Sequence, residues 1–278
     1  MRAVVLDAYG QPRLSDLPAP DPSIEVLACG LCGSDVEKIG EAPEGTVLGH
    51  EVVARVEGRR LALVHHRPCG ECARCRAGHE STCERFAEPT LVPGGFAERV
   101  ADADGVEVPA AVDDARGTYV EPLACVVRSL ELVPRGRVLV VGCGFVGRLF
   151  VAALLERGDE VFAVDARPER VCADAPDGPV ASAVLCAPGG GEAALDRLEP
   201  GGTLLVFAPG GAVDLDRVYR RELTLRGSRS ATPSAMRVAA ELLPRLDLPE
   251  PLVLPLERFD EGLALYRRGE ALKVVFTP

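Results

Sequence analysis

Val138-Leu139-Val140-Val141-Gly142-Cys143-Gly144-Phe145-Val146-Gly147 is the stretch that decides the fold. Apolar residues run straight into a G-x-G-x-x-G turn, and a helical pattern follows over Phe145–Arg157 until Gly158 stops it. Alone, such a glycine pattern is weak. Between a strand and a helix each glycine gains a physical role. Gly142 makes the tight turn, Gly144 lets a pyrophosphate approach closely, and Gly147 lets the helix pack closely on the strand. The pyrophosphate would rest on the helix N-terminus, where free N–H groups and the macrodipole favour an anion. The next strand, 160–165, ends in Asp165, placed to accept hydrogen bonds from the adenosine ribose hydroxyls. Its charge would repel a 2′-phosphate and so favours NAD over NADP, while Arg167 and Arg170 pull the other way. The candidate dinucleotide contacts are Gly142, Gly144, Phe145, Val146, Gly147, Asp165, Ala166 and Arg167.

Outward from this stretch the texture stays α/β in one direction and turns to β in the other. Downstream, apolar runs at 183–187 and 203–208 extend the alternation expected of a parallel, doubly wound sheet. Residues 169–184 leave little room for a full helix plus strand, so this half is expected to be shortened. Thr232 then reads as an N-cap before Pro233, opening a helix to about residue 243. A second helix over about 260–268 stops at Gly269, and a strand over 273–276 follows. Upstream, short β-like runs at 2–7, 25–29, 52–57, 60–64 and 96–100 are punctuated by Pro and Gly, which predicts an all-β, barrel-like unit. Pro122 can open a helix to about 132, because its missing N–H is harmless in a first turn.

Two clusters in that β half can hold metal. Cys69, Cys72, Cys75 and Cys83 are spaced C-x2-C-x2-C-x7-C in a charged lobe with little apolar content. Four thiolates can close a tetrahedral zinc site, which would be structural because no position stays open. The ion would then supply the lobe's folding energy. Earlier in the chain, Cys32-Gly33-Ser34-Asp35 and Gly49-His50-Glu51 bring a thiolate, an imidazole and carboxylates. A catalytic zinc needs three protein ligands and an exchangeable position. Cys32 and His50 would be two of them, with Glu51 or Glu121 as the third. Glu121 has a physical argument in its favour, because an ionised acid at a helix start is stabilised by the dipole, whereas Glu51, next to His50, is expected to point elsewhere. His65, His66 and His79 lie in a charged stretch and read as solvated surface groups. Cys29, Cys125, Cys143, Cys172 and Cys186 read as inert, buried thiols.

Composition excludes several classes. With 31 Lys and Arg against 42 Asp and Glu, the formal charge of −11 argues against a nucleic-acid partner. No run approaches the roughly 18 apolar residues of a membrane span, and the start is not that of a signal peptide. A cytoplasmic protein is expected, in which clustered cysteines point to metal rather than disulfides.

Taken in order, these residues resemble the zinc-containing medium-chain dehydrogenases, in particular the sorbitol, threonine and glucose dehydrogenase branch. The likeness runs from Met1-Arg2-Ala3-Val4-Val5 through the clusters above, Gly95-Phe96-Ala97-Glu98, Glu121-Pro122-Leu123 and the glycine turn to Leu272-Lys273-Val274-Val275. It implies a GroES-like β-barrel catalytic domain over 1–122 and 229–278, with the four-cysteine lobe at 69–83. A somewhat shortened Rossmann domain over 123–228 would be inserted in it. It further implies Ser34 as the first hydroxyl of a proton relay, Asp35 as a supporting acid, catalytic and structural zinc, and a homodimer or homotetramer. The implied reaction moves a hydride between an alcohol or polyol and NAD. An NADPH-dependent biosynthetic carbonyl reductase and a degenerate zinc- or nucleotide-binding regulatory protein are the alternatives. Relatives often carry histidine where this chain has Glu37, which would alter the outer end of the relay.

Overall fold

The computed structural model describes residues 1–86, 88, 90–101, 104–209 and 211–278. The chain opens with an antiparallel hairpin of β1 (Arg2–Leu6) and β2 (Pro12–Asp16). β2 carries no signal in the sequence pattern, because in Pro-Arg-Leu-Ser-Asp only Pro12 is buried and no apolar alternation exists to read. β3 (Ile24–Gly30) leads into α1 (Gly33–Lys38), and β4 (Glu51–Val56) with β5 (Arg59–Leu63) forms the next hairpin. The lobe contains α2 (Ala73–Arg76), a single turn. The strand expected over 96–100 is reduced to β6 (Arg99–Val100), with Ala97 making one bridge to Ala3. β7 (Gly105–Glu107), α3 (Asp114–Gly117) and α4 (Val120–Leu130) follow. α4 begins two residues before Pro122, so the proline falls inside the first turn, where the helix needs none of its N–H.

The α/β section starts with β8 (Arg137–Val141), α5 (Phe145–Arg157) and β9 (Glu160–Val164). Only a single 3-10 turn, Pro168–Arg170, separates β9 from β10 (Val180–Leu185), so the helix expected in a full unit is absent there. α6 (Gly191–Arg197), β11 (Leu198–Val206), α7 (Leu215–Arg220) and β12 (Thr224–Gly227) complete it. The chain returns through α8 (Pro233–Leu242), capped by Thr232 accepting from the Ala235 N–H, then β13 (Leu252–Pro255), α9 (Phe259–Arg268) and β14 (Val274–Thr277).

Two compact units result. Met1–Ala124, Ala231–Arg245 and Pro249–Pro278 form the first; Cys125–Ser230 and Leu246–Leu248 form the second. In the first unit a mixed sheet runs β13-β14-β3-β4-β5-β7, with β6 also on β3. Its core joins the N-terminal strands to the C-terminal return through Phe96, Phe259 and Phe276, whose ring centroids lie 4.7–5.7 Å apart. The second unit is a five-stranded parallel sheet in the order β12-β11-β10-β8-β9. From β8 the chain moves to β9 on one side and then to β10 on the other. The reversal makes the carboxyl end of β8, where Gly142 lies, the position at which such sheets bind ligands. Leu139, Leu185 and Leu204, all fully buried, form its core with Phe162. Among the described residues no helix is long and apolar enough to cross a membrane.

Candidate metal and dinucleotide sites

In the lobe, the sulfur atoms of Cys69, Cys72, Cys75 and Cys83 lie within 4.8 Å of one another. Backbone N–H groups point at them: Cys72 donates to Cys69 Sγ and Cys75 to Cys72 Sγ, each at 3.4 Å, and Arg85 to Cys83 Sγ at 3.3 Å. Such donors stabilise thiolates. The Glu84 and Cys75 backbone groups draw Cys72 down to about 6, whereas lost solvent and the neighbouring sulfurs push Cys75 up to about 12. All four sulfurs can ionise together in this volume only with a cation among them. α2 buries no residue, and of residues 69–83 only Ser81 and Cys83 are buried, so the lobe has no apolar cluster of its own. The donor set fits a zinc ion.

The second cluster is assembled around a buried carboxylate. Cys32 occupies the N-cap of α1 in an extended conformation, and Asp35, three residues on, turns back to accept the Cys32 N–H through Oδ2 at 3.1 Å. Its other oxygen accepts the Gly49 N–H at 3.2 Å and lies 3.1 Å from His50 Nδ1. Burial raises the pKa of Asp35, but His50 and these N–H groups outweigh it and hold the group below its usual value. Burial likewise opposes the charge on His50, and Asp35 overrides it and raises the imidazole well above its ordinary value. With Nδ1 engaged, Nε2 is the nitrogen left for a metal, the arrangement in which a second carboxylate-bound nitrogen fixes a ligating histidine. Gly49 has φ +94, and a Cβ there would fall 2.8 Å from both Cys29 Sγ and the Phe96 nitrogen, so only glycine turns the chain into His50 here.

The third member is Glu51, at the start of β4: one ligand atom each from Cys32, His50 and Glu51 lie within 4.8 Å of one another. Glu121 does not belong to this group among the described residues. It is buried in the first turn of α4, with Oε1 3.7 Å from His65 Nδ1. The expectation that Glu51 points elsewhere fails for a reason absent from its neighbourhood in sequence. Lys273, just before β14, is buried, donates to the Leu31 carbonyl at 3.1 Å and pairs with Glu51 Oε2. Because β14 lies beside β3, the cation reaches Glu51 from the far end of the chain.

Two histidines also require correction. His65 is not a solvated group: its ring centroid is 4.8 Å from that of His50, and burial, with His50 beside it, presses it down to about 3 and keeps it neutral. His66 is 4% exposed, with Nε2 3.3 Å from the Glu80 carbonyl and its ring against Phe86. Neither neighbour is visible in local sequence, because both contacts are tertiary. His79 is exposed as expected. Ser34 is half-buried in the first turn of α1, and Glu37 is exposed. The arrangement makes Asp35 a measurable support: Asp35→Ala is expected to weaken zinc at Cys32 and His50 by about 10–100-fold, checked by competition against a chromophoric chelator.

In the second unit, Gly142 has φ +100, and a Cβ at Gly147 would lie 1.8 Å from the Gly142 carbonyl oxygen. Gly144, the N-cap of α5, has open space where a Cβ would stand, so a ligand can come up to the bare backbone. Phe145 is buried and Val146 half-buried. Asp165 Oδ2 accepts the Cys143 N–H at 2.6 Å and Oδ1 the Arg167 N–H at 2.8 Å, which ties the end of β9 to the glycine turn. Ala166 and Arg167 are exposed beside it. These residues fit the diphosphate and ribose of a dinucleotide: a helix N-terminus open at Gly144 and a fixed carboxylate next to it.

Comparison with known proteins agrees with this architecture. Residues 20–110 match the alcohol dehydrogenase GroES-like domain. The chain is 28% identical to D-altritol 5-dehydrogenase of Agrobacterium fabrum, over 83% of this chain and 84% of the relative. It is 25% identical to sorbitol dehydrogenase of Halalkalibacterium halodurans, over 100% of this chain and 99% of that one. That alignment spans 341 positions against 278 residues here, so the relative carries segments this chain lacks. Acetophenone reductase from Geotrichum candidum, solved in complex with NAD, shares the fold at a TM-score of 0.87 and 20% identity, covering 100% of this chain and 97% of that one. With its GroES-like region, its parallel dinucleotide-type sheet and its two metal-ligand clusters, the chain is alcohol dehydrogenase-like, similar along its length to zinc-type medium-chain dehydrogenases.

Proposed function

We propose that the protein transfers a hydride between a secondary alcohol, most suitably a polyol, and NAD. The observation that carries this reading is the Asp35-anchored cluster of Cys32, His50 and Glu51 in a chain that also folds a G-x-G-x-x-G sheet. The named relatives that act on altritol and sorbitol support the polyol class. When bound, zinc supplies a Lewis acid at the hydroxyl oxygen and the nicotinamide supplies the hydride acceptor. The Cys32 thiolate and His50 Nε2 would hold the ion, and Asp35 keeps the imidazole aimed. Glu51 offers a further oxygen while its charge is balanced by Lys273. Ser34 would take the hydroxyl proton and pass it outward. The carbinol carbon thus loses a hydride to NAD, its oxygen loses a proton to solvent, and a ketone remains. Cys69, Cys72, Cys75 and Cys83 would hold the structural ion.

Asp165 is proposed to contact the adenosine ribose and to disfavour a 2′-phosphate. Asp165→Ala is expected to narrow the NAD-over-NADP preference by about tenfold or more, roughly 1.4 kcal/mol, read from the ratio of kcat/KM values. A screen of polyols, sugars, threonine and simple secondary alcohols with both cofactors tests the function. NAD reduction with a polyol is the expected result. Activity confined to NADPH and carbonyl compounds would transfer the assignment to a reductase, with Arg167 and Arg170 as phosphate partners. A cytosolic setting suits ten free thiols. A homodimer or homotetramer is the expected assembly, supported by the wholly exposed edge strand β12.

A further inference from the structure

His65 stands beside the cluster of Cys32, His50 and Glu51 and has no part in the reaction as written above. The backbone that carries it is fixed. The Val64 N–H donates to the Asp104 carbonyl at 3.0 Å, and the Thr90 hydroxyl faces the Val64 carbonyl at 3.3 Å and donates to the His65 carbonyl. The next residue, His66, is buried against Phe86. The His65 ring is thereby held 4.8 Å, centroid to centroid, from that of His50, at a tilt of 40°. Glu121 Oε1 lies 3.7 Å from its Nδ1, an ion-pair distance too long for a hydrogen bond. These three side chains differ in access. His65 keeps 29% of its side chain exposed, against 15% for His50 and 7% for Glu121, so it is the one most open to a ligand. Among the described residues its ring nitrogens make no hydrogen bond, whereas His66 Nε2 lies 3.3 Å from the Glu80 carbonyl. The carboxylate beside Nδ1 favours the tautomer that carries the proton there, which leaves the Nε2 lone pair as an acceptor.

We propose that His65 is a specificity-determining residue: its Nε2 accepts a hydrogen bond from the hydroxyl next to the one being oxidised, so the site selects vicinal diols over simple secondary alcohols. In a polyol that second hydroxyl is displaced from the reacting one by a single carbon–carbon bond. His65 is displaced from His50 by a single ring contact, so one pose can bring the reacting carbinol to the cluster and its neighbour to His65. A site built to bond a hydroxyl discriminates against the analogue that lacks it, because the protein's polar group then loses its partner. His65 retains solvent access, so water can replace the missing hydroxyl in part, and the discrimination is that of one hydrogen bond, about tenfold. An apolar side chain at this position would distinguish the two substrates by neither route. Glu121 acts here through the ring, as a positioning residue that sets which nitrogen accepts.

This inference rests on the alcohol-oxidation reading above for its substrate, and the test separates the two. It compares butane-2,3-diol with butan-2-ol, which lacks the second hydroxyl, on the full, zinc-loaded chain. The first readout is the ratio of kcat/KM for the diol over the mono-alcohol with NAD. The second needs no turnover: the ring-nitrogen NMR resonances of the isotopically labelled chain, which has four histidines. His65→Ala is expected to lower the ratio about tenfold, chiefly through the KM of the diol. His65→Gln, which returns an acceptor at comparable reach, should recover much of it. In the unmodified chain the diol should shift the His65 Nε2 resonance and the mono-alcohol should leave it in place. An unchanged ratio in His65→Ala, or the absence of a diol-specific shift at His65, overturns the proposal. So does loss of a zinc ion in His65→Ala, which would make the residue a ligand. A diol-specific shift in a chain that oxidises neither alcohol counts against the oxidation reading alone, and the hydroxyl contact would stand.

Discussion

Cys69→Ser is expected to release residues 69–83 from their fold. The lobe has no apolar cluster to fall back on: α2 buries nothing, only Ser81 and Cys83 of residues 69–83 are buried, and the four sulfurs are its common centre. Structural zinc in small domains supplies on the order of 10–16 kcal/mol of apparent binding free energy, as large as the whole stability of a typical domain, about 5–15 kcal/mol. Serine offers a poor ligand, and the three remaining thiols would compete for ionisation without the cation. The variant should lose one zinc per chain, be cleaved rapidly within the lobe by a nonspecific protease, and melt at lower temperature. An intact, protease-resistant lobe in the variant would show that the thiols are packed for some other reason.

His50→Ala should have the larger effect on catalysis with a much smaller one on the fold. His50 is a half-buried residue of the loop before β4, and its replacement leaves the hairpin of β4 and β5 untouched. What is lost is a ligand: Asp35 would keep its bonds to the Cys32 and Gly49 N–H groups but have no imidazole to aim. Zinc lowers the pKa of a bound water from 15.7 to about 7, and an alcohol hydroxyl gains comparably. Without that help, turnover should fall by about 10⁴-fold or more, some 5.5 kcal/mol of barrier, while NADH affinity stays within about twofold. Steady-state rates and NADH titration of the same preparation check both halves.

The parts of the molecule that can be read from sequence are those with a short-range cause. β8, the glycine turn and α5 follow from apolar run, turn glycine and stop glycine within a short span of chain, and the structure gives α5 the expected bounds. Thr232 before Pro233 announces α8 in the same local way. The four-cysteine cluster is legible because its spacing is itself the geometry. Long-range relations are not legible. The pairing of Lys273 with Glu51 depends on β14 lying next to β3, and no local pattern records that neighbour. Glu121 has the better local argument, a helix start, yet the carboxylate beside Cys32 and His50 is that of Glu51. His65 and His66 read as solvated because the charged lobe follows them in sequence, whereas His50 and Phe86 cover them in space.

The most direct test of zinc-assisted hydride transfer uses a polyol carrying deuterium on its secondary carbinol carbon. With the zinc-loaded chain and NAD, the label should appear at C4 of the NADH formed, with one ketone produced per NADH, and His50→Ala should transfer none. NADH formed without the label, or label transfer at an undiminished rate by His50→Ala, would contradict the account.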